Sequence, residues 1–302
     1  MNLKVLAALA AFVLSAAGAE AKPFQAMFPG LTYDKPEVQK FLESLDYQDG
    51  VIPLGVGGVQ INVPKGFYCL SASDAKRVIV EAWENPPSTA EKVLGMIMPS
   101  GKTPIDDSWG AVITFSEDGY VSDTDAANIN YADLLKEMQE GTAQFSQERV
   151  KQGIPSIRLV GWASPPFYDQ PTHKLHWAKE LEFGGSPEHT LNYDVRALGR
   201  KGVLEMNFVG GMNQLGEIRS VIPAVMAMPE FTVGSRYEDY VPGTDKVAAY
   251  GIGALVAGKV LAKTGFFVLA LVFLKKGWFL IVLALAGLWK VVARFVRGTP
   301  QV

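Results

Sequence analysis

Cysteine is almost missing from this chain. The one present, Cys69, excludes an intramolecular disulfide, a zinc cluster and a CxxC redox pair. Within VPKGFYCL it reads as a buried core residue, and it lies too far from the N-terminus to be a lipoprotein cysteine. Histidine is scarce too: His173, His176 and His189 are the 3 in 302 residues. No GxSxG or HExxH occurs, no SxxK appears with partner motifs, and no GKS or GKT follows the GVGG at residues 55–58. Nucleophile, zinc-protease and phosphate-loop signatures therefore all fail. Acidic residues stop at Asp245. Residues up to that point carry 20 basic against 31 acidic residues, a net of −11, while Lys246, Lys259, Lys263, Lys275, Lys276, Lys290, Arg294 and Arg297 follow it. A domain of that charge lacks the basic face a phosphate backbone requires, so no nucleic-acid partner is expected.

Long apolar runs are confined to the two ends. MNLK, VLAALAAFVLSAA and AGAEA have the three parts of a secretory signal, predicting a signal peptide over residues 1–19, with cleavage after Ala19 favoured over cleavage after Ala21. Residues 22–245 then form an exported soluble domain. Residues 246–297 read as a membrane anchor, with a helix over 247–274, about 42 Å long and able to span with tilt, and a second apolar helix over 278–292. Lys275 and Lys276 separate the two, because burying both at mid-bilayer costs roughly 5 to 7 kcal/mol. A two-helix hairpin and a single span followed by an interfacial helix both fit. The hairpin leaves Lys290, Arg294 and Arg297 outside, whereas the single span keeps every charge inside.

Between these ends the pattern alternates. PEVQKFLESL, SASDAKRVIVEAWENPP, Tyr131 to Gly153 and NQLGEIRSVIPAVMAM carry apolar residues at helical spacing, and Pro223 is expected to kink or divide the last of these. GVIPL and VQINV around the GVGG turn, VLGMIMP, WGAVITF, KLHWAKELEF, and TLNYDVRAL with VLEMNFV around GRKG read as strands and hairpins. DGYVSDTDAANIN lacks the glycine and terminal glutamate of a calcium loop and reads as a solvated, helix-capping loop. The expected fold class is α+β: largely antiparallel sheet with packed helices, plus a C-terminal transmembrane helical anchor.

Two clusters carry chemistry. Tyr168, Asp169, His173 and His176, followed by Glu180 and Glu182, can present an acid/base pair and suggest an envelope hydrolase as one reading. His173 and His176 differ by three positions and fall on opposite faces of a strand, which argues against a metal site. Arg196, Arg200 and Arg236, near Asp194, Tyr237 and Asp239, can fork around an anionic envelope ligand or pair with those carboxylates instead. Neither pattern implies a metal or a cofactor. The favoured reading is a non-enzymatic binding or scaffolding module facing the periplasm, partnered by the lipid bilayer and by other envelope proteins or an anionic envelope ligand.

VPKGFYCL with DAKRVIVEAWENPP, then GWASPPFYDQPTHKLHWAKEL, LNYDVRALGRKGVLEMN and GSRYEDYVPGTDKVAAYGIGALVAG together resemble the domain-of-unknown-function 2167 family, over about Val51 to Lys263. Cys69 and Lys259 look like departures from its pattern. The resemblance implies an exported, membrane-anchored bacterial protein, and it implies no reaction; the anchor is then expected in the inner membrane.

Overall fold

The computed structural model describes residues 20–258, apart from positions 86, 152 and 154. The chain opens with β1 (Glu20–Lys22), α1 (Phe24–Met27), α2 (Pro36–Glu43), β2 (Tyr47–Pro53), β3 (Val59–Val63), β4 (Phe67–Ser71) and α3 (Ala72–Arg77). There follow β5 (Gly95–Pro99), β6 (Gly110–Ser116), β7 (Tyr120–Ser122), α4 (Tyr131–Lys151), β8 (Ile157–Asp169) and β9 (Lys174–Phe183). The last elements are β10 (Thr190–Leu198), β11 (Val203–Gly211), α5 (Leu215–Ala227), β12 (Pro229–Phe231), β13 (Val247–Gly251) and α6 (Ile252–Ala257). This is an α+β fold on an 11-stranded sheet of order β12-β3-β2-β4-β5-β6-β11-β10-β9-β8, with β1 on β2, and its pairings are antiparallel. A second, two-stranded sheet pairs β13 with β7 in parallel.

Period-two alternation sorts the side chains onto two faces. On one, Cys69, Ile97, Ile113, Met206, Tyr193 and Val195 meet Ile218, Ile222 and Val225 of α5. The other face has two apolar covers. At one side Tyr47, Tyr68, Leu70, Met96 and Met98 pack with Phe24 of α1, Leu42 of α2, and Phe28 and Val78, the residues that follow α1 and α3. At the other, Leu175, Trp177 and Val203 pack with Val121, Tyr237, Ile252 and Val256. The long edge strand β8 is blunted against further pairing. It carries Pro165 and Pro166, Gln139 Nε2 donates to Leu159 O (3.3 Å) and Val160 O (3.0 Å), and Ile157 N donates to Ser146 Oγ (2.9 Å).

Several expectations need correction. The helix expected from Val247 does not begin there: residues 247–251 are strand, and α6 starts at Ile252 and stops at Gly258, whose φ is 69°. The Asp125 carboxylate sets that start by accepting from Ile252 N and Gly253 N, both at 3.0 Å. The folded domain thus continues past Asp245 through α6. Among the described residues no helix is long and apolar enough to cross a membrane. The remainder of the first expected apolar helix, the second over 278–292 and the signal peptide over 1–19 lie outside the described residues. DGYVSDTDAANIN is not wholly a solvated loop, since it contributes β7 and the fully buried Val121. Pro223 does not divide α5, which continues through it: a proline removes one helical hydrogen bond, and burial of Ile218, Ile222 and Val225 holds the turns on either side.

Candidate functional site

Between the two apolar covers of the second face lies a strip of charge. β10 and β11 pair with Asp194 opposite Asn207 and Arg196 opposite Glu205, and β9 adds Lys179 opposite Asn192. Asn207 Nδ2 and Arg196 Nη2 both donate to Asp194 Oδ1 at 2.8 Å, and the Lys179 ammonium stands 3.4 Å from Asp194 Oδ2. Arg196 reaches Glu205 at 3.5 Å and lies over the Trp177 ring, 5.2 Å from its centroid. Asp194 is only 2% exposed. Burial by itself raises its carboxyl pKa, but Lys179, Arg196 and the Asn207 amide outweigh burial and hold it below the usual value. For Arg196 burial pulls down, while Glu205 and Asp194 more than restore the charge. Both groups are ionised at neutral pH. Arg196 Nε and Trp177 Nε1, buried beside them, have no hydrogen-bond partner among the described residues.

The first sequence cluster is divided between the two faces. His173, in the left-handed conformation at φ 52°, stands with Nδ1 3.1 Å from Tyr168 Oη and 3.5 Å from Asp123 Oδ2. Tyr168 donates to Asp123 Oδ2 at 2.7 Å. Burial, then that hydrogen bond to Asp123, raises its pKa and keeps the phenol protonated. Four rings stack in series: Tyr240 on Tyr120 (3.9 Å between centroids), Tyr120 on Tyr237 (4.5 Å) and Tyr237 on His173 (4.0 Å). Tyr237 Oη donates to Val121 O and accepts from Asp123 N. This arrangement ties β7, the β8–β9 turn and the Tyr237–Asp239 turn together. His176 is on the α5 side. Its Nδ1 lies 2.9 Å from Tyr193 Oη, and burial lowers its pKa, so the neutral ring accepts from the phenol. Asp169 accepts from Thr172 Oγ1 within the turn. Asp169, His173 and His176 therefore belong to three separate sets of partners, in keeping with the three-position spacing of the histidines. Among the described residues no group of three His, Cys, Asp or Glu side chains is placed to hold a metal ion.

The three candidate arginines are also separate. Arg196 belongs to the strip. Arg200, in the β10–β11 turn, forks around Asp245 through Nε (2.7 Å) and Nη2 (2.9 Å). Arg236 is exposed, and its Nε donates to Phe231 O at 3.4 Å. Cys69 is inert: burial pushes its thiol up to about 12, and Sγ points to Leu70 O at 3.3 Å.

Sequence reasoning missed Lys179, Glu205 and Asn207 as members of one cluster, and Asp123 as the partner of Tyr168 and His173. The strip had a signal. Asn192, Asp194 and Arg196 alternate with Leu191, Tyr193 and Val195, Glu205 and Asn207 alternate with Leu204, Met206 and Phe208, and the GRKG turn aligns the two sets.

No curated protein matches the chain. Among solved structures, the solution structure of PsbP (CyanoP) from Synechocystis sp. PCC 6803 aligns at a TM-score of 0.33 with 10% identity, over 58% of this chain and 88% of that one. A family model described as protein of unknown function (DUF2167) matches residues 46–286, and the chain belongs to that family.

Proposed function

We propose that this protein is a non-enzymatic binding or scaffolding module of the bacterial envelope, exported, held at the inner membrane by its C-terminal apolar segment and facing the periplasm. The observation that carries the reading is how the fold grips the chain just ahead of that segment. Asp245 is forked by Arg200, Tyr250 Oη donates to Asp118 Oδ2 at 2.8 Å, Asp125 caps α6, and Ile252 and Val256 are buried. An apolar segment that follows such a grip transmits its position to the whole sheet, which a loose linker does not do. In the strip and the ring stack most polar groups are committed to one another, which argues against a catalytic role for them and leaves binding to other surfaces of the domain.

Fractionation tests the reading. The full chain stays with membranes after carbonate extraction, and protease added to the periplasmic side digests the domain. Truncation after Gly258 releases a folded domain. The binding role requires that a detergent extract retain a partner on the full chain above a control anchor lacking residues 22–245. A full chain recovered in the soluble fraction, or equal retention by the control anchor, refutes it.

A further inference from the structure

A cleft of about 380 Å³ opens at the end of the sheet where β10 turns into β11. Phe115 lines it, together with Gly57, Glu117, Gly119, Arg200, Lys201 and Thr244 to Lys246. We propose that this cleft binds a phosphate group through Lys201, Lys246 and Thr244. The inference rests on the binding-module reading above and deepens it by naming a ligand class.

Three chain segments converge to make the cleft. Gly119 N donates to Lys201 O (3.2 Å) and Tyr120 N to Lys246 O (2.8 Å), so consecutive residues of one turn hold the two lysines at its flanks. Gly119 has φ 100°, and a Cβ there would come within 2.4 Å of the Lys246 carbonyl oxygen, so only glycine allows the approach. Across the cleft, a Cβ on Gly57 would lie 2.3 Å from the Phe115 ring, so the backbone there sits directly on the ring.

The charges select the ligand. Asp245, the carboxylate that would repel an anion, is neutralised by the Arg200 fork. The hydrogen bond from Arg200, then that from Val241 N, holds its pKa below the usual range. Among the described residues neither Lys201 nor Lys246 forms a salt bridge, although the Lys201 charge acts on Asp245 and Lys246 Nζ donates to Glu117 O at 3.1 Å. Glu117 is the opposing carboxylate in the lining, which leaves two ammonium groups against one carboxylate in an otherwise acidic domain. The planar arginine fork, the group suited to a carboxylate ligand, is already occupied by Asp245. What stays available is two point-charge ammonium groups and the Thr244 hydroxyl, which suit the several oxygens of a phosphate.

The test uses the detergent-solubilised full chain, so its result does not depend on where the protein resides in the cell. Inorganic phosphate and a water-soluble short-chain phosphatidylglycerol are titrated separately by calorimetry, with short-chain phosphatidylcholine as the zwitterionic comparison. Saturable binding of inorganic phosphate supports a soluble phosphate source, and binding of phosphatidylglycerol alone supports a lipid headgroup. In either case K201Q/K246Q weakens affinity at least about tenfold, the effect of removing charge-assisted hydrogen bonds. Circular dichroism checks that the double variant is folded, and R236Q, outside the cleft, leaves affinity unchanged. Absence of saturable binding to either phosphate, equal affinity in K201Q/K246Q, or an equal loss in R236Q overturns the proposal. If phosphate binds while carbonate extraction releases the chain, the site stands and the anchoring reading falls.

Discussion

Replacing Asp194 is the sharpest test of the energetics in the charged strip. Its carboxylate is 2% exposed and holds Arg196 and Asn207 at 2.8 Å and Lys179 at 3.4 Å. Asp194→Asn keeps the shape and removes the charge, which strands Lys179 and leaves Arg196 with Glu205 alone. Breaking a buried pair from one side costs about 3 to 5 kcal/mol, because the remaining charge stays desolvated. Asp194→Leu combined with Arg196→Met removes both charges, so it is expected to cost less than the single change. Urea denaturation followed by tryptophan fluorescence measures both, since Trp177 lies against Arg196.

The same carboxylate gives a pH signature. Its folded pKa is depressed, so its contribution is present above the unfolded value of about 3.9 and disappears as pH falls through the folded pKa. The stability gap between wild type and Asp194→Asn is therefore flat from neutral pH down to about pH 5 and closes in stronger acid. A gap under about 1 kcal/mol at neutral pH, or one that persists unchanged into strong acid, refutes the assignment of Asp194 as a buried, ionised hub.

Asp125→Ala removes the cap of α6 and is expected to cost about 1 to 2 kcal/mol, with hydrogen-exchange protection lost over residues 247–257 and retained in β9 to β11. Lys174 donates from Nζ to Met226 O (2.8 Å), in the last turn of α5, and to Pro229 O (2.9 Å), at the start of β12; Lys174→Met should lower stability by about 1 to 3 kcal/mol in urea titrations. Cys69, buried and with its thiol pushed up to about 12, should resist a disulfide reagent at pH 8 in the native protein and react fully in guanidinium.

The hairpins were legible because two local signals agree there. Period-two alternation defines the faces of β3, β10 and β11, and glycine marks both connecting turns. What stayed hidden was set at a distance. VAAYGIGALVAG is apolar enough to continue as helix, yet the carboxylate that starts α6 belongs to Asp125, 127 positions upstream. Helical spacing of apolar residues does not mark Arg149, yet it is fully buried between Phe145 and Phe183 and donates from Nε to Pro155 O at 2.9 Å. Alternation marks Asp194 and Arg196 as one polar face, but it is silent on whether that face meets water or lies between two apolar covers. Spacing alone sets the candidate histidines on opposite faces of one strand, but only His176 is on β9; His173 precedes it as the left-handed residue of the β8–β9 turn, and the turn rather than the pleat directs its ring. Their partners, Asp123 just after β7 for one and Tyr193 of β10 for the other, are distant in sequence and carry no local signal.

Lys246 joins the proposed ligand cleft to the grip on the C-terminal segment, and its two roles use different atoms. Its carbonyl oxygen accepts from Tyr120 N and so extends the β7–β13 pairing, whereas its side chain lines the cleft and reaches only Glu117 O. A substitution such as Lys246→Gln removes the ammonium and leaves the backbone hydrogen bond in place, so it separates ligand binding from the grip. Gly119 has no such separation. Its Cβ-free backbone lets Lys246 approach at all, and a side chain there would push Lys246 away from Tyr120 and Lys201 together. If the C-terminal segment is drawn toward a membrane, the strain falls first on the hydrogen bonds from Tyr120 and to Asp245 and Asp125. A phosphate bridging Lys201 and Lys246 spans that same junction, so occupancy of the cleft reinforces the connection between the sheet and the segment that follows it.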